Sequence, residues 1–116
     1  MLVHQDWCSR NVRVVDGAVV AVYDWDSVDR APIARAAGQA AALWPCTSED
    51  GSPDPSSADE VEAFLGDFAA AWGTPFTAAD RRVAHASARY SFAYMARCEH
   101  AMGVHHGPGS RFLRMG

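Results

Sequence analysis

The chain has 116 residues, with 10 arginines, no lysine, 14 acidic residues and a formal net charge of -4. That length bounds it to one small domain with a modest core, and so mild an acidity gives no reason to propose a nucleic-acid or membrane partner. No apolar run is long enough to span a bilayer and no signal peptide precedes the first valine-rich stretch, while Cys8, Cys46 and Cys98, odd in number and irregularly spaced, read as reduced thiols of a cytoplasmic protein.

The first stretch to carry chemistry is His4-Gln5-Asp6-Trp7-Cys8-Ser9-Arg10-Asn11, with the spacing H-x-D-x-x-x-x-N. Val12–Val15 and residues 18–23 are valine-rich and read as strands. Asp16-Gly17 between them is a strong signal for a two-residue hairpin turn. In a hairpin without a bulge, Val15 faces Ala18, Asn11 faces Val22, and Asp24 lies two residues further on. Residues two apart share a face, so Asn11 and Asp24 are expected as diagonal neighbours roughly 7–8 Å apart. A carboxylate and an amide oxygen so placed can share one ion. Magnesium suits them, because it takes few protein oxygens and keeps sites for phosphate and water. Asp6 sits one loop upstream at the same open end, placed to orient a substrate hydroxyl and accept its proton. Asp26 reads either as a second metal or substrate ligand or as an exposed acid capping the next turn. Arg10 and Arg13 flank Asn11 and read either as phosphate contacts or as solvated, locally paired arginines. Trp7 and Trp25 flank two of these residues and read as walls of the site or as core.

Further along, Pro32 opens a helix over residues 33–44 that is rich in alanine. Gly38 within it is a local weakness or a place where another helix approaches closely, and Pro45 is expected to end it. Residues 47–57 are polar, with Ser, Pro, Asp and Gly, and a mobile linker is expected over 45–57. Ser57-Ala58-Asp59-Glu60 has the capping-box pattern. Val61, Phe64, Leu65, Phe68 and Trp72 then recur at helical spacing up to Gly73. Thr77 caps a long helix over residues 78 to about 102, with Asp80 in its first turn and Gly103 at its end. Its aromatics cover more than one side, so neighbours are expected on two faces. Residues 105–109 read as a loop, with one last helical turn over 110–115. Cys98, His100, His105 and His106 fit no standard zinc-ligand spacing.

The ordered set H-x-D-x-x-x-x-N, strand, turn and strand ending on an acid resembles the C-terminal part of the aminoglycoside phosphotransferase family, whose fold is similar to that of protein kinases. The D-W-D-S run at Asp24 to Ser27 and the R-C-E-H-A run at Arg97 to Ala101 resemble a bacterial branch of that family. One departure is Gln5, where the family usually has glycine; a side chain there crowds the loop or contacts substrate. The resemblance implies an α+β fold, a protein-kinase-like C-terminal lobe fragment. Residues 1–30 would hold the catalytic loop, hairpin and metal-binding acid, and 31–116 about three helices. It implies Asp6 as catalytic base, His4 as a brace for the loop, and Asn11 and Asp24 as magnesium ligands on the phosphates of ATP. The acceptor would be a hydroxyl of a small molecule, such as an aminoglycoside, an amino-alcohol or a sugar. Such enzymes hold the phosphates with a strand lysine and a glycine-rich loop, and neither is in these 116 residues. The chain alone is therefore expected to be inactive. Its open readings are a truncated gene product, a mis-assigned start, or one half of a split enzyme whose N-terminal lobe is a separate chain. The surface meant for that lobe invites self-association. The rival reading is a non-catalytic remnant or interaction module with a kinase-like core.

Overall fold

The computed structural model describes residues 1–47 and 54–116. Among these residues, two small antiparallel sheets and four α-helices make an α+β fold. β2 (Val12–Val15) and β3 (Ala18–Val22) form the expected hairpin. Its turn residues Asp16 and Gly17 both have positive φ, 49° and 77°, as the tightest hairpin turn requires. The sequence pattern missed the second sheet, in which β1 (Leu2–His4) pairs with β4 (Val28–Arg30). Strands of three residues are too short to show a period.

The hairpin register departs from the bulge-free expectation. Val15 pairs with Ala18 and Val14 with Val19, but Arg13 then pairs with Ala21. Val20 is thus an extra residue on β3, and every later pairing shifts by one. Asn11 consequently meets Tyr23, whose amide donates to the Asn11 carbonyl at 2.8 Å, and not Val22.

Helix α1 (Ile33–Thr47) does not stop at Pro45, which lies in its last turn. Proline there removes a single bond, the one from its missing N–H to the carbonyl of Ala41. That carbonyl instead accepts from the Ser56 hydroxyl at 3.3 Å, so the loss is made good from across the chain. Of the linker expected over 45–57, residues 48–53 lie outside the described residues, 45–47 are helical, and Pro55 is buried.

Helices α2 (Ala58–Trp72) and α3 (Ala78–Ala101) start on full capping boxes, Ser57 with Glu60 and Thr77 with Asp80. Gly73 closes α2 with φ 80°. Ala34, Ala37 and Ala41 of α1 pack with Val61 and Leu65 of α2 and Ala84, Ala88 and Phe92 of α3 around one core. The alanines bring the helix axes close, and Gly38 is closest of all. A Cβ built there would stand 2.0 Å from the Ala84 carbonyl oxygen.

The fourth helix is α4 (Pro108–Met115), longer than the single expected turn and beginning inside the stretch expected as a loop. Pro108 at its first position is favourable, and its cap comes from a distant residue. Glu99, 7% exposed on α3, accepts from the Gly109 amide at 2.9 Å, the Ser110 amide at 2.7 Å and the Ser110 hydroxyl at 2.5 Å. A carboxylate on the orphan amides of a helix start satisfies both partners. Burial pushes the Glu99 carboxyl up, but the Ser110 hydroxyl, the Ser110 and Gly109 amides and nearby His106 outweigh it, so the net shift is downward from 4.5. An acid lowered on folding stabilises fully above its unfolded value, and this contribution is lost as pH falls through its folded value. Glu99→Ala, which leaves both amides unpaired, is expected to cost about 2 kcal/mol or more at neutral pH. Its deficit relative to the parent should shrink on acidification below 4.5. Urea denaturation of both proteins at pH 7 and pH 3.5 measures it; an equal deficit at both values would remove the charge from the explanation.

Candidate functional site

The loop from His4 to Asn11 folds against the segment that follows β3, and His4 is the link. Its Nδ1 accepts the Asp6 amide proton at 3.2 Å. The other ring nitrogen must then carry the hydrogen, and Nε2 donates to the Tyr23 carbonyl at 2.8 Å. One imidazole so joins the residue that bears the candidate base to the residue before the candidate metal acid. Further ties run alongside. The Gln5 amide donates to the Ser27 carbonyl at 3.1 Å, and the Ser27 hydroxyl donates to the Asp24 carbonyl at 3.1 Å. Trp7 and Trp25 meet the His4 ring edge-on, with centroids 5.8 and 5.5 Å away. Trp7 also stacks on Trp44 and is half-buried, whereas Trp25 is 62% exposed.

Asn11 ends a single 3-10 turn, Ser9–Asn11. Its Nδ2 donates to the Asp6 carbonyl at 2.8 Å and to Asp6 Oδ2 at 2.9 Å. Both amide hydrogens are thereby spent on Asp6, and Oδ1, on the other side of the planar group, is the atom left to accept. Asp24 does not reach the site by strand alternation, because Val20 breaks the register. It stands in the left-handed region, φ 64° and ψ 50°, where a β-strand ends abruptly. Aspartate tolerates this conformation better than most residues.

The charges of the site are unbalanced. Asp24 has its carboxyl raised above 3.8, chiefly by a hydrogen bond with Asp26 and by that residue's charge, then by desolvation and Asp6, with His4 opposing. Three acids thus converge electrostatically, and a cation would relieve them. The oxygen-only donors Asn11 Oδ1, Asp24 and Asp26 fit magnesium in kind. Among the described residues, no group of three or more His, Cys, Asp or Glu has the geometry to hold a metal by itself.

The remaining candidates lie nearby but are less engaged. Gln5 Nε2 is 3.4 Å from Asp29 Oδ2, so its side chain turns along the β4 side and not across Asp6. Arg10 and Arg13 are exposed, and Arg10 forms no ion pair among the described residues. Sequence reasoning missed Gln39, whose Nε2 donates to the Gln5 carbonyl and anchors the loop to α1. A lone amide in an alanine-rich helix was the signal that could have found it.

In comparisons with known proteins, no family model, no curated protein and no solved structure matches this chain.

Proposed function

We propose that this chain is the catalytic half of an ATP-dependent phosphotransferase that acts on a hydroxyl of a small molecule. The observation that supports this most is the double hydrogen bond from Asn11 to Asp6, made beside an acid whose proton affinity is raised by neighbouring carboxylates. A base must be held still while it takes a proton, and the Asn11 amide holds both the backbone and the carboxylate of Asp6. Asp6 orients the acceptor hydroxyl and accepts its proton as the new bond to phosphorus forms. Asn11 and Asp24 would hold magnesium, which supplies the positive charge that neutralises the phosphate oxygens. All ten strongly basic side chains of this sequence are arginines, and the lysine that grips the phosphates would come from an N-terminal lobe. A kinase-like C-terminal lobe is the finer fold that this reading carries.

The test is a magnesium titration of the 116-residue chain, followed by NMR of the Asn11 side-chain amide and the Asp24 carboxyl. Saturable shifts at both residues are expected only at millimolar metal, since two protein oxygens make a poor site without phosphates. A proton on Asp24 competes with the ion, so affinity should rise with pH through that group's raised range and level off above it. In the metal-free protein the same raised group lowers stability as pH rises from 3.8 through its folded value. Signals that stay put at Asn11 and Asp24, with movement only at the C-terminal histidines, would count against the site and favour a non-catalytic role.

A further inference from the structure

Charge is unevenly distributed along this acidic chain. The last 20 residues carry three arginines, three of the five histidines and one acid, Glu99. That acid is committed to the start of α4. Arg111 is paired with Asp54 at 2.6 Å, which leaves Arg97 and Arg114. These two line a groove of about 450 Å³ between the C-terminal part of α3 and α4, together with His100 and His105. Arg97 has no hydrogen-bond or ion-pair partner among the described residues. Arg114 gives one Nη1 hydrogen to the His105 carbonyl at 2.9 Å and has four others to give. The two imidazoles sit with centroids 5.7 Å apart. Ala93, Ala96 and Leu113 make an apolar floor, and Leu113 is 61% exposed.

We propose that this groove is a binding site for a small phosphomonoester, its phosphate held by Arg97 and Arg114 beside the two histidines and its organic body lying on Leu113. Two guanidinium groups that line one concavity without an ion-pair partner among the described residues repel each other unless an anion lies between them. Guanidinium forks match phosphate oxygens in geometry as well as charge. The volume suits a small organic molecule, being within the range of ordinary ligand pockets. The groove shares no residue with the loop of His4 to Asn11, so this proposal stands whether or not the catalytic reading does.

The experiment is a titration of the full chain with phenyl phosphate, with inorganic phosphate, and with phosphatidylserine vesicles, reading the ring signals of His100 and His105. Saturable shifts of both histidines are expected with phenyl phosphate, and weaker binding with inorganic phosphate, which leaves the floor uncovered. Arg97→Gln and Arg114→Gln should each weaken phenyl phosphate roughly tenfold, the scale of one lost charge-assisted hydrogen bond. Arg82→Gln makes the same charge change on an exposed part of α3 and should leave binding unchanged. Equal weakening by all three substitutions would mean diffuse attraction and overturn the proposal. So would vesicle binding that depends on Arg97 and Arg114 without any binding of phenyl phosphate, since a membrane headgroup would then be the ligand.

Discussion

Gly38→Ala is expected to be strongly disruptive for a single added methyl, costing about 3 kcal/mol or more. The added Cβ meets the Ala84 carbonyl oxygen at 2.0 Å and its carbonyl carbon at 2.6 Å. These are backbone atoms, so no rotamer change relieves the overlap and α1 must move off α3. The opposing gain in helix propensity is only about 1 kcal/mol, and the steric effect wins. Gly66→Ala is the control. Gly66 lies within α2, is exposed, and has nothing within 4 Å of its built Cβ. There the same substitution should stabilise by about 0.5–1 kcal/mol. Urea midpoints of the two variants should fall on opposite sides of the parent. A Gly38→Ala midpoint at or above the parent would mean the close approach of the helices is not needed.

On the phosphotransferase reading proposed above, the second large effect is on turnover, measured after the chain is joined to a nucleotide-binding lobe. Asp6→Asn should lower kcat by about 10²–10⁴, the usual contribution of a general base, and leave magnesium-ATP affinity nearly intact. The new amide can still turn its oxygen to the Asn11 donor, so the loop should keep its shape. Asp24→Ala should weaken magnesium-ATP binding as well as turnover, with little rescue by excess magnesium. Asn11→Ala has a mixed signature. A neutral oxygen contributes less to metal binding than a carboxylate, but its loss also frees Asp6 from two hydrogen bonds. Its affinity loss should therefore be milder than that of Asp24→Ala and its kcat loss comparable with that of Asp6→Asn. If Asp6→Asn lost nucleotide affinity while Asp24→Ala kept it, the base and the metal ligand would have to be exchanged. If none of the three changed turnover, the loop would be structural.

What the sequence made legible was local. The capping box at Ser57, the Thr77 cap, the Asp16-Gly17 turn and the Gly73 stop each depend on residues within one turn of one another, and all are present as expected. The hairpin itself was legible, but its bulge was not. Ala18–Val22 is apolar at every position, so no alternation marks which residue is extra. Asp24 is a candidate in the sequence by its place at the end of a strand, yet its left-handed backbone and the neighbouring Asp26 that raises its carboxyl leave no mark there. Pairings between distant short segments, such as β1 with β4, and the reach of Glu99 to α4, leave no periodic trace. Glu99 stood in the R-C-E-H-A run, but nothing in that string says that a buried acid there caps a helix ten residues later.

The hydroxyl that Ser56 lends to the Ala41 carbonyl does more than compensate for a proline. Nearby, Cys46 Sγ donates to the Asp54 carbonyl at 3.7 Å, and desolvation, aided by Glu60, Asp54 and Glu99, pushes that thiol up to about 11, so it keeps its proton at neutral pH. Together the two bonds pin the segment that leads into α2 against the C-terminal end of α1, so the end of one helix and the approach to the next are positioned by the same two contacts.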